Sequence, residues 1–464
     1  MRALDSDVDV VLKNESGRVI ATGQPNGNLD ETIRRDLAAG TYYIHIQTND
    51  NDSHSYRLSA SAHWLQGDAG RTLQSERNAN EIIRDWNATL LDAIRVDRTA
   101  PPKAARSLAI VHTAIYDAVN SILNFGESYH TKIKAPRRAS AEAAAAGAAY
   151  QTLVTLFPAQ KLTFEAALAT SLTEIAEGDR REQAGFRVGV QVANQILAWR
   201  SQDGSTAIVP YTPVHGRGFW QPTPGGSTTP VLPHWPNVTP FAMQSGSQFR
   251  PAGPPTVDNP EFAAEIDLVR RMGGKVSTER TIEQTDIAFF WADGAGTFTP
   301  PGHWNQITQQ IAQANRTSLS EDARLFAMLN IALADAGIAA WDAKYAVNQA
   351  RPVTMIQAEY DPTWLPLLTT PSFPDYISGH STFSAAASEV LSCFFGRTVP
   401  FSTTADPKSA VAGVMRSYSS VAEAANEAGL SRIYGGIHVP CANQDGLKTG
   451  IKIGRYVVKK FLTV

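Results

Sequence analysis

A change of hydrophobic period near residue 65 constrains this chain more than any other feature. Before it, apolar and polar residues alternate over 8–12, 40–46 and 55–60, with turn-forming clusters at 23–27 and 49–52 between them. Period two bounded by such residues predicts antiparallel strands. Beyond it, apolar residues recur every three or four positions over 82–94, 104–123, 139–157, 162–177, 180–199, 260–272, 281–291, 304–314, 320–348, 381–395 and 446–461. That spacing predicts helices that each bury one face. The alanine run near 140–149 adds helix propensity and permits close packing. Residues 203–260 are dense in Pro, Gly, Ser and Thr and read as one long irregular connection; a loop of that length in a compact protein has a job or covers a surface. The expected fold is mainly α: a helical bundle over 76–464, preceded by a small antiparallel β segment over 1–65.

Charge narrows the function. Forty-one basic against forty-four acidic residues give a net charge of −3, so no global field attracts nucleic acid or an anionic membrane. Any anion site must be assembled locally from a few convergent cations. The two cysteines, Cys393 and Cys441, exclude a disulfide scaffold and a four-cysteine zinc site; one bridge and two free thiols both remain open. No run of about 18 or more apolar residues appears, so no membrane span is expected, and residues 1–7 lack the apolar run of a secretion signal. The chain reads as soluble. It contains no phosphate loop, no Gly-x-Ser-x-Gly elbow and no His-Glu-x-x-His. His45, His54, His63, His112, His130, His215, His234 and His303 are scattered without metal-ligand spacing and read as structural or solvent-exposed.

Three segments of the last quarter differ. In the first, Trp341 and Lys344 lead to Arg351-Pro352. Seven residues are nearly two helical turns, so Lys344 and Arg351 are expected on one face, about 10 Å apart, with the guanidinium leaving the helix end because proline disfavours helix before it. In the second, Phe373 precedes Ser378-Gly379-His380 at the start of an apolar helix, which sets free N–H groups, a hydroxyl and an imidazole at a positive helix end. In the third, Ser431-Arg432 is followed by Gly435-Gly436 and His438, and the glycines allow Arg432 and His438 to be aimed independently. Together these supply Lys344, Arg351, Arg432, the Gly379 N–H and the Ser378 hydroxyl as donors, beside His380 and His438. With no carboxylate among its anion-facing members, the set fits an oxyanion with one histidine bonded to its centre.

Lys-x6-Arg-Pro, Ser-Gly-His and Ser-Arg-x5-His form the three-part signature of the superfamily shared by vanadium-dependent haloperoxidases and type-2 phosphatidic acid phosphatases. The chain is identified as a member of it, and residues 105–119 and 284–312 also resemble bacterial haloperoxidases. The resemblance implies vanadate as cofactor, with phosphate able to mimic it, and hydrogen peroxide, halide and small organic molecules as substrates. It makes His438 the axial ligand and Lys344, Arg351, Ser378, Gly379 and Arg432 the groups that hold the oxygens. His380 becomes the acid–base group, and Lys344 the group that polarises peroxide. In the phosphatase branch His438 would instead attack phosphorus and His380 protonate the leaving group.

Trp341 and Phe373 resemble the aromatic positions of the chloroperoxidase type near its halide site; an apolar wall there would desolvate halide. The run Phe290-Trp-Ala-Asp293-Gly is similar to that type too, which implies that Asp293 orients Arg432. One departure is Ala442, where many relatives carry an aspartate four residues after the last histidine; Asn443, Asp445 or a backbone carbonyl would have to take its place at His438. The expectation is a haloperoxidase acting on bromide or iodide and, as a further case, chloride. A soluble acid phosphatase working through a phosphohistidine at His438 and a non-catalytic oxyanion-binding or surface protein are the alternatives. Residues 1–65 resemble the second half of a pre-peptidase C-terminal domain, a small β-sandwich appended to secreted proteins, through Asp5–Leu12, Leu37–Tyr43 and Tyr56–Leu58. That resemblance implies an internal start at Met1 and favours export, although no signal is visible. Asp5, Asp7 and Asp9 alternate as on a solvated strand face, with calcium as the alternative reading. Oligomeric state and organic substrate are not legible.

Overall fold

The alternating pattern at the start of the chain is realised as antiparallel pairing. The computed structural model describes residues 8–14, 19–22, 24–25, 31–32, 42–48, 71–175, 179–223 and 229–462. In a first compact unit, Met1–Arg71, lie β1 (Val8–Asn14), β2 (Val19–Thr22), β3 (Gln24–Pro25), β4 (Glu31–Thr32) and β5 (Tyr42–Thr48). They form a sheet of order β2-β1-β5 and a separate β3-β4 pair. The register of β1 with β5 runs from Val8 opposite Thr48 to Asn14 opposite Tyr42. The strand expected at 55–60, and Asp5 and Asp7 of the calcium reading, lie outside the described residues.

The second compact unit, Thr72–Val464, is helical. Its elements are α1 (Arg71–Asp97), α2 (Pro101–Leu123), α3 (Ala141–Leu156), α4 (Lys161–Glu174), α5 (Asp179–Arg200), α6 (Pro260–Met272), α7 (Ile282–Phe290), α8 (Thr299–Asn315), α9 (Leu319–Val347), α10 (Pro352–Glu359), α11 (Gly379–Phe395), α12 (Val421–Tyr434) and α13 (Pro440–Leu462), with a hairpin of β6 (Phe401–Thr404) and β7 (Met415–Tyr418) before α12. Local chemistry sets the ends. Two prolines open α2, where the missing N–H costs nothing, and Asn124 closes it in the left-handed region. A capping box of Ser318 and Glu321 opens α9, and left-handed Asn348 stops it. By length and composition α9 passes for a membrane span, yet 94% of its apolar window is buried inside the protein. It is a core helix, packed against α2, α11 and α13. The alanine-rich α3 meets α5 so closely that a Cβ on Gly189 would lie 2.1 Å from the Ala144 carbonyl oxygen.

The described part of the long connection over 203–260 is irregular apart from one turn at Trp235–Asn237, and α9 holds it down. Asp335, fully buried, accepts the backbone N–H groups of Phe241, Ala242 and Met243 at 2.7, 2.9 and 2.7 Å. Trp341 Nε1 and the Tyr345 hydroxyl both donate to the Val231 carbonyl.

Three sequence expectations are corrected. Two helices lie outside the expected ranges: α12, whose last turn holds residues 431–434, and α10, which follows Arg351 directly. Lys344 and Arg351 do not share a helix face: α9 ends at Val347, and Arg351 is extended, with φ −74° and ψ 152°, as the residue that caps α10. The extended stretch between them is fixed from two sides. Trp220 N–H donates to Asn348 O and Ala350 N–H to Gly218 O, while Asp375 N–H donates to Gln349 O. Cys393, exposed, and Cys441, buried, are both free thiols.

Candidate functional site

The ends of five helices deliver the predicted donors and imidazoles to one buried place. Lys344, in the last turn of α9, is fully buried and donates through Nζ to the carbonyls of Pro374 at 3.0 Å and Asp375 at 2.9 Å. Arg351 donates through Nε to Phe373 O and through NH1 to Ile437 O, both at 2.7 Å. The two cations therefore converge by gripping the same Phe373–Asp375 strand of backbone, not by helical spacing. Ser378 caps α11, its Oγ accepting from the Ser381 N–H. Ser381 has one hydroxyl proton for two neighbours, Ser378 Oγ at 2.8 Å and Asn443 Oδ1 at 2.7 Å; when it donates to Ser378, the Ser378 proton is free for an oxyanion. Gly379 and His380 are the first residues of α11, where backbone N–H groups have no intrahelical partner.

Arg432, on α12, donates to Ser431 Oγ and to the Ala288 carbonyl. His438 precedes α13. Its Nε2 lies 3.3 Å from Arg351 NH1, and its Nδ1 touches the Asp375 carboxylate. Among the described residues, the buried polar atoms without a hydrogen bond at this place include Arg351 NH2, His380 Nε2, Asp375 Oδ1 and His438 Nδ1, the last two in contact with each other. Trp341 and Phe373 pack together at 4.8 Å between ring centroids, and the Lys344 ammonium stands 5.0 Å from the Phe373 ring. No group of three or more metal-ligating side chains of the His, Cys, Asp and Glu type exists among the described residues.

Burial dominates the electrostatics. It holds the Lys344 ammonium well below its ordinary range, helped by the charge of Arg351 and opposed by Asp375. Burial likewise brings Arg351 and Arg432 down to about 10, against the pull of Asp375 on the first and of Asp293 on the second. His438 is held well below its ordinary range by burial, then by Arg351, Lys344 and Arg432, while the Asp375 backbone carbonyl opposes. His380 is lowered by burial and then by Arg432 and His438. Three desolvated cations, of which Lys344 is lowered further by Arg351, mark a place that an anion would stabilise.

Comparisons with known proteins identify the family and the fold. The model of the VCPO second helical-bundle domain matches residues 324–464, which contain every element of the site except Asp293. A vanadium chloroperoxidase of Curvularia inaequalis is 30% identical over 408 residues, spanning 70% of this chain and 67% of that protein. The chain belongs to the vanadium haloperoxidase family. Among solved structures, the first bacterial vanadium-dependent iodoperoxidase is 29% identical, with a TM-score of 0.74, over 82% of this chain and 96% of that one. A bacterial vanadium-dependent chloroperoxidase in its apo form shares the fold at 16% identity, with a TM-score of 0.66, over 79% of this chain and 95% of that one. The mainly helical architecture is thus that of vanadium haloperoxidases.

Two residues of this haloperoxidase-family site depart from the sequence reading. Asp293 does not form an ion pair with Arg432 among the described residues. Its Oδ2 meets His303 Nδ1 at 3.1 Å, and its charge reaches Arg432 only through space. His303, read as one of the scattered histidines, is buried among Phe290, Trp291 and Phe298. The second departure is Asp375. The expected donor set had no carboxylate, yet Asp375 is fully buried beside Arg351 and His438. Of the three candidate replacements for the acid absent at Ala442, Asn443 bonds Ser381 and Asp445 accepts from the Tyr376 hydroxyl, whereas a backbone carbonyl, that of Asp375, does reach His438. The available signal was an acid placed inside the same Phe373–His380 run as four predicted site residues.

Proposed function

We propose that the protein is a vanadate-dependent haloperoxidase that oxidises bromide or iodide, with chloride as a further substrate, by hydrogen peroxide to hypohalous acid, which halogenates small organic molecules. The net reaction joins halide, peroxide and one proton to give hypohalous acid and water. The observation that carries this reading is the convergence of Lys344, Arg351 and Arg432 around His438, whose Nε2 lies 3.3 Å from Arg351 NH1, with Arg351 NH2 and His380 Nε2 buried and unpartnered nearby. Vanadate fits these residues: His438 Nε2 would hold the metal, and Lys344, Arg351, Ser378, the Gly379 N–H and Arg432 would hold its oxygens. When bound, vanadate supplies an electrophilic centre that activates peroxide toward halide without changing its own oxidation state.

The chain's residues supply the rest. The cations offset the oxyanion's charge in a place shielded from water. His380 Nε2, unpartnered, is the atom that takes or gives the proton the reaction consumes. Trp341 and Phe373 form the apolar wall against which a halide would shed water. A second reading, phosphate-ester hydrolysis through a phosphohistidine at His438, draws support from the Asp375 carboxylate at Nδ1, since an acid at that nitrogen makes the other more nucleophilic. For the N-terminal unit, antiparallel order supports the pre-peptidase C-terminal-like reading.

Bromide-dependent halogenation of monochlorodimedone, measured on EDTA-treated protein before and after orthovanadate, separates these readings. Activity restored only by vanadate is the expected result. Silence under both conditions together with p-nitrophenyl phosphate hydrolysis would replace the haloperoxidase by the phosphatase. Failure to bind vanadate or phosphate at all would leave neither.

A further inference from the structure

The fully buried Asp375 is held through its backbone and approaches His438 through its carboxylate. Its N–H donates to Gln349 O, and its carbonyl accepts from Lys344 Nζ at 2.9 Å and also reaches His438. One carboxylate oxygen accepts the Val439 N–H at 3.4 Å, and the other lies 3.6 Å from Arg351 NH1 and against His438 Nδ1. A neutral imidazole carries one N–H and one lone pair. A carboxylate only accepts, so the nitrogen facing it bears the proton, and the lone pair falls on Nε2. That nitrogen faces the N–H of Arg351 NH1, a donor, which is the complementary arrangement. On α13 the position four residues beyond His438 is Ala442, buried, whose carbonyl accepts the Ser378 N–H, and Asp445 is taken up by the Tyr376 hydroxyl.

We propose that Asp375 is a positioning residue whose carboxylate holds His438 in the Nδ1–H tautomer, so that the Nε2 lone pair points into the cradle of Lys344, Arg351 and Arg432. An acid from the strand that both Lys344 and Arg351 grip thereby does for His438 what an acid on α13 would otherwise do, and it ties ligand orientation to the placing of the cations. The consequence for an oxyanion bound at Nε2 rests on the haloperoxidase reading; the tautomer does not.

The test is made on full-length protein. Imidazole ¹⁵N chemical shifts, with His438 assigned by its loss in His438→Gln, report the tautomer before any vanadate is added. Wild type is expected to show Nδ1 protonated and Nε2 free, Asp375→Asn to keep that state because its amide oxygen still accepts, and Asp375→Ala to lose it. Orthovanadate affinity, titrated by ⁵¹V resonance, is expected to fall about 10- to 100-fold in Asp375→Ala, the usual effect of removing the group behind a ligating histidine. An Nε2–H tautomer in wild type overturns the proposal and needs no variant. So does an unchanged tautomer and affinity in Asp375→Ala, which would make the backbone carbonyl sufficient, or tighter binding in both variants, which would make the carboxylate a mere repellent. If wild type binds no vanadate, the haloperoxidase reading fails while the tautomer still decides the role of Asp375.

Discussion

Arg351 combines two duties that a single-headed cation cannot. Its Nε and NH1 are committed to the carbonyls of Phe373 and Ile437, which ties together the second and third motif segments, and NH2 remains unpartnered toward the site. A planar fork can anchor and present charge at once, whereas an ammonium serves one direction. Arg351→Lys is therefore expected to lower inorganic phosphate affinity, measured calorimetrically, by roughly tenfold or more, the effect of one charge-assisted hydrogen bond at about 1.5–3 kcal/mol. Equal affinity would mean that NH2 does not face the ligand. At this scale the sequence was informative about residue types and poor about partners. Lys344, Arg351, Ser378, Gly379, His380, Arg432 and His438 were all legible as donors or imidazoles, because that chemistry resides in the residue itself. The partners of Asp293 and Asp375 were not, because a carboxylate pairs with whatever the fold sets within reach. For Asp293 that is His303, ten residues on, at the start of α8.

Helix packing carries the site, and the sequence reveals part of how. Hydrophobic period located α9 and α11, whose apolar faces are continuous, but it overlooked α10 and α12. The first has eight residues and begins on the proline that sets Arg351 apart. The second buries Ala424, Ala425 and Ala428, residues whose small size gives a faint period. Close contact between α3 and α5 was foreshadowed by alanines, yet the positions that permit it are glycines: added Cβ atoms would stand 2.0 Å from Ser140 O at Gly185 and 2.1 Å from Ala144 O at Gly189. These are backbone obstacles that no rotamer change relieves. Gly189→Ala is expected to force the two helices apart and cost about 2–3 kcal/mol, at the upper end of overpacking effects, in a urea titration. A gain of about 0.5–1 kcal/mol, the ordinary effect of alanine replacing glycine inside a helix without steric conflict, would show that α5 shifts freely. The connection over 203–260 depends on α9 in another way. Asp335→Ala would leave three buried N–H groups without their acceptor, each costing about 1–3 kcal/mol. Faster amide hydrogen exchange at Phe241, Ala242 and Met243 is the expected sign, and unchanged protection there would argue that other contacts hold the loop.

For the helical unit as a whole, stability and site share one dependence on burial, and His112 reports it away from the oxyanion cradle. Its Nε2 meets Asn87 Oδ1 of α1 at 3.1 Å, and its ring stacks on Phe326 of α9 at 4.9 Å, so one side chain of α2 ties three helices. Burial pushes its pKa down to about 3 from an ordinary 6.5. Above pH 6.5 the folded and unfolded chains both carry it neutral. As the pH falls below 6.5 the unfolded chain takes up a proton that the folded protein refuses until about pH 3, so stability drains away across that window. The loss reaches about 2 kcal/mol by pH 5, one and a half pH units at about 1.4 kcal/mol each. His112→Gln keeps a donor for Asn87 but cannot titrate. It should be less stable than wild type at neutral pH, and the gap should narrow by that amount between pH 7 and pH 5 in urea titrations. Buried carboxylates such as Asp117 and Asp322, raised to about 6 by burial, titrate in the same window with the opposite sign. They are common to both proteins, so the difference between the two curves isolates the imidazole. A gap that stays constant with pH would show that His112 accepts a proton in the folded protein, and hence that water reaches the contact between α1, α2 and α9.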